Sequence, residues 1–439
     1  MSRGLSRRKF LQTTGAVAGA ALLGNGLPAF AGPSTVPSTS PNKLRVGIIG
    51  VSHRGGENLR QIANLSDVAR IIALCDTDAS QLGVTAKTLP DATTYRDFRR
   101  MLEQQKDLDA VVISTPDHTH AVATVMALKS GKHVYCEKPL THTIHEARVV
   151  RETARAMKRV TQMGTQIHAG ANYRRVVELI RGGAIGAVSE AHVFCSKNWG
   201  AVPLPATTAT VPDDVDYDVW QGPVAKSFRP EYMHGGWRRW YTFGNGTLGD
   251  MGCHYMDLPF WALDLTAPTA IRAQGAPVDH ENCPQALTVH YDFPANGSRG
   301  PIKLSWYDGD AQPEHYADWN ISARNGVVFV GEKGELFANY DSHALLPAEK
   351  FKDFKPPAPT IASSVGHHRE WVQACLGHDM KATTCNFDYA GPLSETVLLG
   401  TVAYRSGSEL NWDAEKCQIT NNSSANELLQ VAYREGWSL

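Results

Sequence analysis

Short apolar runs at 44–49, 69–75, 110–115, 133–136 and 160–163 alternate with stretches of helical periodicity. Runs of this length, bounded by turn residues, predict strands buried on both faces, and strands alternating with helices build a parallel, doubly wound sheet. After Gly164 the pattern changes. A helical segment at 173–181 leads into alternating segments at 190–196, 286–293, 302–306 and 326–330, separated by long loops rich in Pro and aromatic residues. Period-two alternation predicts a large, mainly antiparallel sheet with helices on one face, so the second part should be an α+β domain.

Length agrees with this division. A chain of 439 residues exceeds what one hydrophobic core usually serves, about 250 residues, so two domains are expected, at 44–164 and 165–439. The first 31 residues differ in character. Ser6-Arg7-Arg8-Lys9-Phe10-Leu11 precedes a weakly apolar stretch at 13–27 and the small residues Ala29 and Ala31. A basic start, a short apolar middle and a small-x-small cleavage site make a signal peptide, and the paired arginines followed by Phe-Leu resemble a twin-arginine signal. A Pro- and Ser-rich linker at 32–43 would follow. The protein is therefore expected to be exported already folded, to the periplasm.

Charge and cysteines narrow the class further. The net charge is −1, and removal of residues 1–31 takes away four basic residues and no acid, leaving −5. Nucleic acid is thereby an unsuitable partner. Beyond the export signal no apolar run approaches the roughly 20 residues of a membrane span. The eight cysteines are scattered without a CxxC pair, and Cys75 and Cys136 fall in predicted strands, so they read as buried thiols. No HExxH or clustered Cys/His signature predicts a metal.

The first predicted strand runs into Gly50-Val51-Ser52-His53-Arg54-Gly55. This is a dinucleotide fingerprint with Ser52 at the middle glycine, and amides from Ser52 to Gly55 at a helix start would hold the pyrophosphate. Asp76 ends the second strand 26 residues after Gly50, where an acid meets the ribose hydroxyls. Backed by Asp78, it would repel a 2′-phosphate, which favours NAD over NADP. Together these features predict a Rossmann domain. Two further motifs follow later strands: Ser114-Thr115-Pro116-Asp117-His118-Thr119-His120, and Glu137-Lys138-Pro139.

These motifs resemble the Gfo/Idh/MocA family of oxidoreductases, and the resemblance extends from Leu44 to Leu439 through Gly164-Thr165-Gln166, Trp237-Arg238-Arg239-Trp240, and 249–257 with Asp250 and His254. It implies a Rossmann domain joined to a sheet domain that covers the cofactor and forms homo-oligomers, a dimer or tetramer. It implies that Lys138 lies beside the nicotinamide, that Thr115, Pro116, His118, His120, Glu137 and Gln166 line the cofactor, and that Asp250 and His254 carry the family's Asp-x-x-x-His element.

Hydride leaves a carbinol carbon only as the hydroxyl proton is removed, so a base must stand within about 3 Å of that oxygen. His254 suits this near neutral pH, with Asp250 four residues earlier on one helix face to orient it. Lys138 could share the proton or hold the oxygen, and the sequence leaves either residue as principal base. Trp199, Trp237, Trp240, Tyr241, Trp306 and Tyr307 offer flat rings for a pyranose face, while Arg238 and Asp308 could bond its hydroxyls. The expected activity is oxidation of a ring hydroxyl of a sugar, sugar derivative or glycoside. Free NAD is scarce outside the cytoplasm, so the cofactor should be tightly held and recycled within the catalytic cycle, a trait resembling the exported glucose-fructose oxidoreductases. The alternatives are an NAD-dependent glycoside hydrolase or lyase working by transient oxidation, elimination and re-reduction, and a non-enzymatic sensor.

Overall fold

The computed structural model describes residues 43–200, 202, 209–233 and 235–439. The expected export signal at 1–31, and all of the linker but residue 43, lie outside the described residues.

Six strands form the first sheet: β1 (Leu44–Ile49), β2 (Ala69–Cys75), β3 (Thr93–Tyr95), β4 (Ala110–Ile113), β5 (His133–Cys136) and β6 (Thr161–Met163). All are parallel, in the order β3-β2-β1-β4-β5-β6. Nearly every residue of β1, β2, β4 and β5 is buried, because helices cover both faces, and this explains the continuous apolar runs. The run at 110–115 ends as a strand at Ile113, and the one at 160–163 starts at Thr161. β3 is a short, largely exposed edge strand and shows no apolar run, so the sequence pattern misses it. The strand order reverses between β1 and β4, and that switch opens a crevice at the carboxyl ends.

The second sheet has nine strands: β7 (Val188–Cys195), β8 (Ala270–Gly275), β9 (Leu287–Phe293), β10 (Ile302–Asp308), β11 (Asn325–Gly331), β12 (Gly334–Ala338), β13 (His343–Leu346), β14 (Leu410–Asp413) and β15 (Gln418–Ile419). Their order is β13-β12-β11-β7-β10-β9-β8-β14-β15, antiparallel throughout except where β7 meets β10. β9 alternates as the pattern predicts, with Leu287, Val289, Tyr291 and Phe293 buried. β8, β12, β13, β14 and β15 carry too few apolar alternations to be foreseen.

A single apolar cluster joins the two sheets, running from Val111 and Val134 through Tyr173 and Leu248 to Tyr291 and Val397. The long helix Phe387–Ser406, begun by Asn386 accepting from the amides of Asp388 and Tyr389, packs against β8, against helix Ile144–Met157 and against helix Gly246–Tyr255. On the other face of the first sheet, helix His367–Gly377 returns from the second half of the chain. Its Trp371 is fully buried, edge-on to Tyr135. All eight cysteines are free, and all are buried except the half-buried Cys417.

Burial has a consequence for acid stability. Burial holds His118 and His367 at about 3, and His120, His133, His142 and His368 at about 4. Each folded value lies below the unfolded value near 6.5, so the unfolded chain binds more protons in between, and the stability they confer is lost as pH falls from 6.5 towards 4. Burial acts oppositely on Asp308 and Glu146, both raised to about 7, and on Asp76, Asp117 and Glu395, but with His254 also lowered the histidines outnumber these carboxyls. Calorimetry should show the melting temperature falling steeply between pH 7 and pH 4.5. A flat or rising melting temperature over that range would contradict this account.

Candidate active site

A cavity of about 1040 Å³ opens at the carboxyl ends of β1, β2, β4 and β5 and is roofed by residues 197–199 and by 235–254. Gly50 stands at its dinucleotide end with φ of +85°, and a Cβ there would lie 2.7 Å from the Ser114 carbonyl oxygen. Only glycine lets the two loops approach this closely. Ser52, His53 and Arg54 line the cavity at the start of helix Arg54–Ala63. Gly55 does not line it. Its amide donates to the Ser52 carbonyl at 2.8 Å, and a Cβ would stand 2.1 Å from the Gly50 oxygen, so it serves close packing of helix on loop. Asp76 follows β2, and its Oδ2 accepts from the Val51 amide at 2.9 Å while Oδ1 accepts from the Asp78 amide at 3.0 Å. Burial pushes its carboxyl up, and these bonds fix it on the cavity wall with a second lone pair on each oxygen. A glycine-cleared cradle followed by a fixed carboxylate fits a dinucleotide.

At the other end Glu137 is buried and accepts from Asn58 Nδ2 and Gln166 Nε2, both at 2.8 Å. A Cβ on Gly164 would meet Glu137 Oε1 at 2.5 Å, which explains the glycine in Gly164-Thr165-Gln166. Thr115, Pro116, Glu137, Lys138 and Gln166 all line the cavity.

The charged end of the cavity is built around Asp250, on helix Gly246–Tyr255. Lys138 Nζ donates to its Oδ1 at 2.8 Å and also to its backbone carbonyl. Arg238 Nε donates to Oδ1 at 3.1 Å, Lys197 Nζ to Oδ2 at 3.1 Å, and Trp199 Nε1 to Oδ2 at 2.6 Å. Burial alone would raise this carboxyl, but the cations of Lys138, Arg238 and Lys197 overcome it and hold the group well below the carboxylate range. Helical spacing suggested that Asp250 orients His254. Instead its oxygens are taken by the three cations and an indole, and His254 Nδ1 has no hydrogen-bond partner. Burial first, and then the Lys138 cation, push His254 well below its usual range, so the imidazole is neutral. It faces the cavity beside Tyr340.

Several expected site residues lie elsewhere. His118 bonds the Trp220 carbonyl through Nε2 at 3.0 Å and packs against Phe243. His120 spans the Pro139 and Thr115 carbonyls, at 2.8 Å each, and so ties the two motif loops together from behind. Trp240 packs on Tyr232, Tyr241 lies under Arg405, and the buried Tyr307 stacks on His192. Trp306 is wholly buried and donates to Asp308 Oδ2 at 2.9 Å, while Asp308 Oδ1 accepts from the Leu287 amide. These large rings and this carboxyl are core, not sugar contacts. Trp237 and Arg238 do line the cavity, with the Arg238 guanidinium 4.3 Å above the Trp237 ring. Trp199, expected from the sequence as a flat ring, lines it too, whereas Lys197, Trp220 and the buried Asp117, which also line it, were missed by the sequence reading.

Family models match both parts: an oxidoreductase family NAD-binding Rossmann fold over residues 44–165, and the family's C-terminal alpha/beta domain over 186–439. The chain belongs to the Gfo/Idh/MocA oxidoreductase family. It is 32% identical over 228 residues to a glycosyl hydrolase family 109 protein of Shewanella pealeana, covering 47% of this chain and 50% of that one. It is 32% identical over 155 residues to inositol 2-dehydrogenase 3 of Saccharopolyspora erythraea, covering 34% and 44%. The chain thus spans about half the length of the curated relatives it matches. Among solved structures, the WlbA dehydrogenase of Chromobacterium violaceum, in complex with NADH and UDP-GlcNAcA, superposes with a TM-score of 0.60 at 16% identity, over 87% of this chain and 99% of that one. An inositol dehydrogenase homologue of Azotobacter vinelandii, with NADH and myo-inositol, superposes with a TM-score of 0.56 at 17% identity, over 85% and 98%.

The geometry separates two kinds of substitution. Gly50→Ala should weaken NAD binding at least tenfold, measured by calorimetric titration, because its Cβ meets backbone. Trp306→Ala should cost about 3–5 kcal/mol of stability and leave NAD affinity unchanged in the protein that folds. The reverse pattern would contradict the placement of both residues.

Proposed function

We propose that the protein is an exported, NAD-dependent oxidoreductase that acts on a ring hydroxyl of a sugar, sugar derivative or glycoside. The observation that carries this reading is the meeting of Lys138 and the neutral His254 at one end of a cavity whose other end suits a dinucleotide. The bound nicotinamide supplies a hydride acceptor. Lys138 Nζ spends two of its donors on Asp250 and keeps one for the substrate oxygen. That bond polarises the hydroxyl, and the neutral imidazole of His254 accepts its proton as the carbon loses hydride. Trp199 and Trp237 supply apolar walls for a sugar ring, and Arg238 its hydrogen bonds.

Export through a twin-arginine signal at 1–31 would carry the folded protein to the periplasm, where a tightly held cofactor must be restored within each catalytic cycle. A homo-oligomer, dimer or tetramer, and the division at 164/165 complete the proposal. The family-109 relative favours a second reading: oxidation of a ring hydroxyl acidifies the neighbouring C–H, the glycosidic bond eliminates, and the ketone is reduced again.

Four measurements test these readings. Lys138→Ala and His254→Ala should each lower turnover by roughly 10²–10⁴-fold with NAD still bound; near wild-type turnover in either removes that residue from the mechanism. NAD should bind more tightly than NADP, and an equal or reversed preference would displace Asp76 from the ribose. Arg7→Lys with Arg8→Lys should keep the precursor in the cytoplasm, and normal export of that double variant would refute the signal. Glycosides incubated with holoenzyme and no added NAD decide between the two chemistries, since only the second releases the free aglycone.

A further inference from the structure

The outer wall of the dinucleotide cavity comes from neither motif loop. Val219 and Trp220, on the short helix Tyr217–Gln221, line the cavity together with Asp76 and Thr77. The segment carrying them is stitched to the turn that follows Asp76. The Ala79 amide donates to the Asp214 carbonyl at 2.8 Å, the Asp216 amide to the Thr77 carbonyl at 2.9 Å, and Ser80 Oγ to Asp214 Oδ2 at 2.6 Å. Arg96, itself on the cavity wall, donates to the carbonyls of both Thr77 and Asp214. Behind the helix, His118 bonds the Trp220 carbonyl, and Trp220 stacks on Tyr217.

The last ten residues of the chain then cross this segment from outside. Arg434 donates from Nε to the Gly222 carbonyl at 2.6 Å, from Nη2 to the Asp218 carbonyl at 2.6 Å, and from Nη1 to Asp218 Oδ1 at 2.7 Å. Its own amide bonds the Pro223 carbonyl at 2.8 Å. One arginine thus satisfies the carboxyl end of a five-residue helix that is too short to hold itself. The strap is anchored on both sides. Tyr433 Oη donates to the buried Glu146 at 2.5 Å, and Trp437 lies under the Arg99 guanidinium at 4.3 Å and against Phe98, which lines the same cavity. Lys129 Nζ reaches the backbone of Leu439 at 3.1 Å.

We propose that residues 214–222 form a closed outer wall of the cofactor site, that residues 430–439 strap this wall shut, and that Arg434 is the positioning residue which makes the bound dinucleotide slow to exchange. Nothing in the strap touches the reaction centre. Its role is retention, which is what an exported enzyme that recycles its cofactor requires. The inference rests on the dinucleotide reading of the cavity and is independent of the sugar substrate.

The test is exchange. Full-length protein loaded with isotopically labelled NAD is mixed with excess unlabelled NAD, and retained label is followed over time. Arg434→Ala, and a chain ending at Leu429, should each release label at least tenfold faster than the parent, and Arg434→Lys should fall between. Lys416→Ala, which breaks an exposed pair with Asp413 on the second sheet, should match the parent. Thermal melts identify the folded variants, and if the truncated chain does not fold, Arg434→Ala decides. Exchange within twofold of the parent in folded Arg434→Ala, or a parent that already exchanges as fast as the variants, overturns the strap. Failure of every tested sugar to reduce the cofactor would count against the oxidoreductase reading and leave this result standing, whereas no binding of added NAD by the parent would remove the cofactor site and the strap together.

Discussion

One buried carboxylate organises the charged end of the cavity. Asp250 takes bonds from Lys138 at the end of β5, from Lys197 and Trp199 beyond β7, and from Arg238 in the loop before its own helix. Those groups come from both sheets, so the position of each depends on a charge that none of them carries. A carboxylate this deeply buried is tolerable only because the cations surround it, and removing one partner from such a cluster leaves uncompensated charge, typically at a cost of about 3–5 kcal/mol. The same arrangement frees His254. Burial, reinforced by the Lys138 cation, outweighs the pull of Asp250 and keeps the imidazole neutral, the state a base requires.

The packing of helix Gly246–Tyr255 shows why this position is so constrained. It lies between the cavity and the long helix Phe387–Ser406, and a Cβ on Gly252 would come within 2.9 Å of Val397. Small residues on the inner face bring the helix close to the core, so that Asp250 and His254 on the outer face reach the cavity. The expected Asp-x-x-x-His element is present, but Asp250 gives its oxygens to the cations and the indole and not to His254.

How much was legible in the sequence follows from local physics. The buried parallel strands announce themselves as apolar runs, and the Gly50 loop and Asp76 are readable because the rule placing ligands at carboxyl ends of parallel strands is strict. Lys197 follows β7, in a mainly antiparallel sheet where no such rule applies, so nothing local marks it. The aromatic residues misled for a related reason. Trp240 and Tyr241 sit near functional motifs in sequence, but loop sequences carry no periodicity to show which rings point inward, whereas Trp306 follows Ile302 and Leu304 on the buried alternation of β10. His118 and His120 lie on a helix buried on almost all sides, where a histidine bonds backbone carbonyls as readily as a ligand.

If the Asp250 cluster sets the reaction centre, its charge and not only its shape must matter. The direct measurement is a single-turnover experiment on Asp250→Asn loaded with NAD, in which nicotinamide reduction by a sugar substrate is followed by absorbance. The amide keeps the volume but no longer balances three cations. The account predicts reduction at least 100-fold slower than in the parent with the nucleotide still bound, and a rate within threefold of the parent would contradict it.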